Sequence, residues 1–138
     1  MHRIFRIETR GPGLHEFTGD VARFVADAAV DEALLTLFVR HTSASLVIQE
    51  NADPDVRADL ADFLHRLVPP SDDPAMAYIR HTCEGPDDMP AHIKAALLPV
   101  SLAIPIISGR MALGTWQGIY LFEHRARPHR REVAALIR

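Results

Sequence analysis

The sequence predicts an α+β domain dominated by antiparallel sheet, and three observations lead there. Short alternating apolar runs recur along the chain, Gly-containing turns join several of them, and two to three amphipathic helical stripes lie between. The expected subunit is a β-rich, sandwich-like arrangement forming a single domain over residues 1–138. At 48% hydrophobic and 24% charged residues, the chain can bury one core.

Arg3 to Arg10 alternates as a first strand, and Gly11, Pro12 and Gly13 break it. Thr18 suits a helix N-cap, followed by a stripe of Val21, Phe24, Val25 and Ala28. Ala33 to His41 and Ala44 to Gln49 read as strands. Asp53 then caps a helix with Pro54 at its first position and a buried stripe of Val56, Leu60, Phe63, Leu64 and Leu67. Pro69 to Pro74 is a surface loop, and Tyr78 to Cys83 reads as a short strand. Asp87, Asp88 and Pro90 favour a helix start, which runs to about Leu98. Ser101 to Ile107 is strand-like, with Pro105 placing it at an edge or bulge. Ser108 and Gly109 turn the chain into a strand from Arg110, and Glu132 to Ile137 closes the series. Between them, Gly114 to Glu123 reads as a strand buried on both faces, with Trp116 as its packing anchor. Glu123 ends that strand, and a buried carboxylate needs a cation, a metal or strong donors.

Composition narrows the function. A net charge of −3 argues against general nucleic-acid binding, and no apolar stretch reaches the roughly 20 residues of a membrane span. The N-terminus lacks a continuous apolar region, so a cytoplasmic location is expected. Cys83, the one cysteine, excludes an internal disulfide or a Cys-rich zinc site. Fourteen arginines accompany a single lysine, Lys94, which either marks a position where a compact ammonium is needed or falls there by chance.

Three segments concentrate reactive side chains. The first is His41, Thr42, Ser43, Ala44 and Ser45, leading to Glu50, Asn51 and Asp53. His41 either projects from a sheet edge into a pocket or is a core histidine bonded to backbone. The second runs from His81 to Lys94. Asp88 and His92, four apart, share one helix face, where the carboxylate can orient the imidazole or join it as a ligand. His41, His81, His92 and Glu123 form a zinc-type donor set if the fold brings them together. The third, His124 to Arg131, is either a solvated hairpin turn or a clamp for phosphate.

The stretches His41-Thr42-Ser43-Ala44-Ser45 with Glu50-Asn51, Asp87 to Lys94, and Gly114-Thr115-Trp116-Gln117 with Glu123 closely resemble the YjbQ-like (UPF0047) family, also called secondary thiamine-phosphate synthase. The resemblance covers nearly the whole chain in one order. It implies a YjbQ-like fold, a homotrimer, and the joining of hydroxymethylpyrimidine diphosphate to a thiazole phosphate with release of pyrophosphate. It also implies small phosphorylated metabolites as partners; the histidine and carboxylate donors add the expectation of a divalent metal (zinc or magnesium), and no nucleotide cofactor is expected. Carried onto this sequence, His41, Asp88, His92, Lys94 and Glu123 become catalytic candidates and His41, His81 and His92 metal ligands. Thr42, Ser43, Glu50, Asp59, Gln117 and the arginines Arg130 or Arg131 become substrate-binding candidates. Many members follow the glutamate with an Asp-Gly turn, whereas here Glu123 precedes His124-Arg125-Ala126-Arg127-Pro128, which leaves Arg130 and Arg131 as alternatives for the matching arginine. A zinc-dependent hydrolase and a non-catalytic trimer that binds a phosphometabolite are the competing functions.

Overall fold

A computed structural model describes all residues, 1–138. Its two antiparallel sheets close over one core. The larger contains β1 (His2–Thr9), β8 (His129–Ile137), β3 (Ala33–Val39), β5 (Ser101–Ile107) and β6 (Arg110–Met111), in that spatial order. The smaller contains β2 (Gly13–Glu16), β7 (Gln117–Glu123) and β4 (Ala44–Glu50). Three helices accompany them: α1 (Thr18–Ala28), α2 (Pro54–Leu67) and α3 (Asp88–Leu97). None is long and apolar enough to cross a membrane.

Strand alternation builds the core. Leu35, Leu37 and Val39 of β3 face inward beside Val133, Ala135 and Ile137 of β8, with Leu37 opposite the small Ala135. From the smaller sheet, Leu46 pairs with Leu121 and Ile48 with Ile119. Val21, Phe24 and Val25 of α1 complete the cluster, and Phe5 meets Phe24 edge-on at 5.8 Å between ring centroids. Each fully buried Leu, Ile or Phe here contributes about 1.5–3 kcal/mol.

From Gly118 onward β7 is buried on both faces, as its sequence predicts. Ile119 and Leu121 enter the core, while Tyr120 and Phe122 point the other way, towards α2, whose Arg57 guanidinium lies 5.8 Å from the Tyr120 ring. Trp116 is different: it precedes the strand and is 63% exposed, so it anchors no packing within the subunit. Gly114 donates its N–H to Gln117 Oε1 at 2.8 Å, and this turn carries the indole outward.

Other boundaries also shift. Phe17, not Thr18, is the N-cap of α1; the Thr18 hydroxyl accepts the Ile119 N–H at 2.8 Å and donates to Glu16, tying helix to sheet. Only Leu64 of the α2 stripe is buried, while Phe63 and Leu67 face outward. Tyr78 to Cys83 is irregular because no sheet edge there offers its backbone a ladder. Strand β8 begins at His129, three residues before the expected start, so Arg130 and Arg131 lie in sheet rather than in a solvated turn. Pro105 pairs with Leu34 of β3 on one side and on the other lies just beyond the two-residue β6, whose partners are Ile106 and Ile107, close to the sheet edge as expected.

Glu123 joins the two sheets. Its Oε2 accepts from Thr9 Oγ1 and Arg131 Nε, both at 2.8 Å, and its Oε1 accepts from Arg131 Nη2 and from the N–H groups of His124 and Arg125. Thr9 and Arg131 belong to the larger sheet and Glu123 to the smaller. Arg131 also donates to Ser43 Oγ at 3.0 Å, immediately before β4. Burial alone would raise the Glu123 pKa, but the Arg131 fork, the Arg125 N–H and the Thr9 hydroxyl outweigh it and hold the carboxyl below its usual value.

Glu123→Gln leaves the Arg131 charge buried and unpaired, and is expected to cost about 3–5 kcal/mol in urea unfolding at pH 7. A depressed carboxyl pKa contributes stability above the unfolded value near 4.5 and loses it as pH falls through the lower folded value. The variant should therefore also show a flatter acid limb. Unchanged stability at pH 7 would show that the pair does not hold the sheets together.

Candidate metal centre

The centre forms where the loop before α3 meets the first turn of that helix. Asp88 is the first residue of α3, and His92 stands one turn on, so both side chains share a face. Pro90 lies inside the first turn, where its missing N–H costs no hydrogen bond. Gly85 has φ +97°, a left-handed conformation that turns the chain from His81 and Glu84 back into the helix. A Cβ there would also lie 3.3 Å from Asp87 Oδ1.

His81 Nε2 lies 2.6 Å from Asp88 Oδ2, and His92 Nε2 lies 3.2 Å from the same oxygen. The three ligand atoms all fall within 4.8 Å of one another. Asp88 is buried, its other oxygen is gripped by Arg125 Nη1 at 2.5 Å, and Arg125 Nε holds Asp87 at 3.0 Å. The Ala126 N–H donates to the same Asp87 oxygen at 2.9 Å, so both carboxylates at the helix start are fixed from the 123–126 turn.

A backbone carbonyl decides the tautomer of His92. Its Nδ1 lies 3.0 Å from the Thr42 carbonyl oxygen, which can only accept, so Nδ1 carries the proton. Neutral His92 then presents a lone pair at Nε2, directed at a carboxylate oxygen. Such an acceptor pair requires either a proton making His92 imidazolium or a cation held in common. An imidazole whose far nitrogen donates to a carbonyl is the usual arrangement behind a metal ligand.

Two imidazoles and one carboxylate fit zinc, whose catalytic sites use three protein ligands and an open position. Magnesium is a weaker fit because it favours oxygen donors throughout. Glu84 Oε2, 3.1 Å from His81 Nε2, is a further oxygen at the rim. The hydrogen bond to Asp88 raises the His81 pKa. For Asp88, burial would raise the pKa, but the His81 hydrogen bond and the Arg125 charge keep it below the usual range.

The remaining candidates divide plainly. His41 does not join the cluster: its Nε2 accepts the Glu132 N–H at 2.7 Å, which occupies the lone pair a metal would need. Burial, then the Arg131 charge, lowers its pKa. Glu123 has its oxygens saturated and fully buried, leaving none for a metal or a moving proton. Arg131 and Ser43 belong to that same pair, and exposed Arg130 bonds Glu8 at 2.5 Å. Glu50 Oε2 accepts the Ala52 and Asp53 N–H groups ahead of α2, and Gln117 shapes the turn before β7; Asp59 is exposed on α2. Thr42 contributes its carbonyl, while its side chain is exposed. Lys94 projects from another flank of α3 into a separate cleft.

Sequence reasoning missed two participants. Arg125 was visible only as one of four clustered arginines, and nothing in its spacing links it to Asp88, 37 residues earlier. Glu84, three residues from His81, carried a local signal that could have included it.

Fold and site together define a class: a two-sheet α+β protein with a His-Asp-His cluster at a helix start. The profile of the UPF0047 protein YjbQ-like family matches residues 3–138, and the chain belongs to this family. A UPF0047 protein of Synechocystis is 55% identical over 130 residues, covering 94% of this chain and 86% of the relative. Escherichia coli O157:H7 YjbQ is 41% identical over 136 residues, covering 98% and 95%. Among solved structures, a YjbQ/UPF0047 protein of Clostridium acetobutylicum is 34% identical with a TM-score of 0.86, covering 99% of each chain. A hypothetical protein of Aeropyrum pernix reaches 0.88 at 27% identity, covering 100% of this chain and 98% of its own.

Zinc added to chelator-treated protein should raise the melting temperature, by the equivalent of about 2.7 kcal/mol at a hundred times the dissociation constant. Asp88→Ala and His92→Ala should abolish the rise, and His41→Ala should preserve it. Equal responses in all four proteins, read by differential scanning calorimetry, would place the metal elsewhere.

Proposed function

We propose that the chain is a metal-assisted enzyme acting on a small phosphorylated metabolite. The observation that supports this most directly is the Thr42 carbonyl fixing the His92 proton on Nδ1, which leaves two imidazole nitrogens directed at one buried carboxylate oxygen. His81, Asp88 and His92 would hold the ion; Arg125 keeps Asp88 ionised and aimed. A bound divalent ion supplies positive charge to a phosphoryl or diphosphate oxygen. The specific reaction we infer is thiamine-phosphate synthesis, in keeping with the resemblance to secondary thiamine-phosphate synthases. That reaction asks little acid-base work of the chain and mainly requires two phosphorylated reactants to be positioned as pyrophosphate departs. Exposed Arg127 borders a cavity of about 660 Å³ beside Glu84 and Arg125, a location suited to neutralising an incoming phosphate.

A homotrimeric cytoplasmic protein is part of the same proposal. Exposed apolar side chains at Phe38, Phe63, Leu67, Trp116 and Leu136 support an assembly. A second reading, zinc-dependent hydrolysis, draws support from the donor set itself, because two imidazoles and a carboxylate leave a position open.

Purified protein incubated with hydroxymethylpyrimidine diphosphate and thiazole phosphate should yield thiamine phosphate, read by chromatography. Asp88→Asn and His92→Ala should lower the rate by about a hundredfold or more, given that even outer-shell changes cost 10–100-fold. Release of inorganic phosphate without coupling would instead identify a hydrolase. Thermal stabilisation by the substrates with no chemical change would identify a binding protein.

A further inference from the structure

The larger sheet ends in an open edge. Strand β1 is its outermost member and pairs only with β8, so one side of its backbone meets no other strand. The Met1 amino group donates to the Ile137 carbonyl at 3.1 Å, and the Ile137 N–H returns a bond to Met1 at 2.9 Å. Such exchanging pairs alternate along an antiparallel ladder, so Arg3, Phe5 and Ile7 turn their N–H and C=O groups towards β8. His2, Ile4, Arg6 and Glu8 then direct theirs away from the sheet, along about 20 Å of edge at roughly 3.4 Å per residue.

The other margins are blunted, as proteins usually blunt their sheet edges. At the far end β6 has two residues, β2 has four, and Leu46 of β4 gives its N–H to the Pro99 carbonyl at 2.8 Å. Strand β1 runs for eight residues without proline, and its register with β8 is unbroken from His2 to Thr9.

Helix α1 turns this edge into a groove. Residues 3–7 of β1 form one wall of a cavity of about 320 Å³, and Asp20 and Arg23 of α1 form the other. Its charge is positive. Arg23 pairs with Asp20, and Arg3 reaches Asp27 at 3.3 Å while its guanidinium lies 5.0 Å from the Phe24 ring. Arg6 has only Glu132, at 3.5 Å, and that carboxylate also serves Arg40 at 3.2 Å. One carboxylate between two guanidiniums leaves a positive charge at the middle of the open edge, where the Arg6 side chain is 63% exposed. Glu8, the one acidic residue of β1, is already paired with Arg130. None of these residues belongs to the His81-Asp88-His92 cluster.

We propose that this groove binds an extended acidic segment of a partner protein by strand addition. Main-chain bonds to His2, Ile4, Arg6 and Glu8 supply the affinity, and the side chains beside them select the sequence. In antiparallel addition, the ligand residues opposite Ile4 and Arg6 share their outer face, which suits a β-branched residue and a carboxylate respectively. The ligand residue between those two falls on the α1 side, where Arg3 and Arg23 favour a second carboxylate. Two copies of this edge would bring like-charged grooves together, so an acidic partner fits it better than a second β1.

The probe is the capped hexapeptide acetyl-Thr-Glu-Glu-Val-Thr-Thr-amide. Amide hydrogen exchange read by NMR should slow about tenfold or more at Ile4 and Arg6 on saturation, while Phe5 and Ile7, already bonded to β8, change little. Lysines in place of both peptide glutamates, or Arg6→Glu in the protein, should weaken binding about tenfold or more in calorimetry. N-methylation of the first glutamate and the valine removes the two donors aimed at the edge without altering charge, and should abolish binding. Equal affinity of the N-methylated peptide would overturn strand addition, and equal affinity of the lysine peptide would overturn the acidic partner. Unaltered exchange at Ile4 and Arg6 in millimolar peptide overturns the whole proposal. Protection of those two amides in the free protein that disappears on dilution assigns the edge to a second copy, and overturns it as well. Should Arg6→Glu fail to fold, the peptide series on the wild-type protein decides.

Discussion

The buried pairing of Glu123 with Arg131 is the constraint on which the rest of the architecture depends. Two sheets could slide over an apolar core with little penalty, because hydrophobic contact is non-directional. A carboxylate that meets a Thr9 hydroxyl, a forked guanidinium and two backbone N–H groups accepts one registration only. A buried pair need not exceed an apolar substitute in stability, so its larger contribution here is registration between sheets. The register matters because the chain that leaves Glu123 passes directly to Arg125, and Arg125 grips both carboxylates at the start of α3.

From that point the site is built by relay. Arg125 reaches Asp88 only if β7 ends where Glu123 fixes it. The Thr42 carbonyl reaches His92 only if β4 begins where Ser43 meets Arg131. The structural ion pair thus positions the His81-Asp88-His92 cluster from both sides without joining it. This explains why Glu123 looks like a site residue in the sequence: it sits in the same polar neighbourhood and serves the adjacent purpose. His41 follows a similar pattern, closing the Glu132 backbone while its neighbour Thr42 supports the centre.

Much of the fold was legible because periodicity reports burial. The alternation of β3 and β4, that of β7 from Gln117 onward, the Asp53–Pro54 start of α2 and the acidic start of α3 stand where the pattern puts them. Tyr78 to Cys83 misled because alternation records which faces are apolar and says nothing about whether a partner strand exists. The outward Phe63 and Leu67 misled because helical periodicity identifies an apolar face without saying what covers it. At the site, Asp88 and His92 were legible from their four-residue spacing. The place of His81 in the cluster was legible only as a residue type, since a loop rather than a helix delivers it. Arg125 was illegible because long-range pairing leaves no trace in local order.

The reliance on the Thr42 carbonyl carries an evolutionary consequence. A main-chain oxygen cannot be deleted by a codon change, so the feature that selects the His92 tautomer is immune to most drift at position 42. The exposed side chain at that position is free to vary while the imidazole behind it keeps its protonation pattern. The lineage could therefore alter what approaches the cluster from that side while the donor pattern of the imidazole stayed constant.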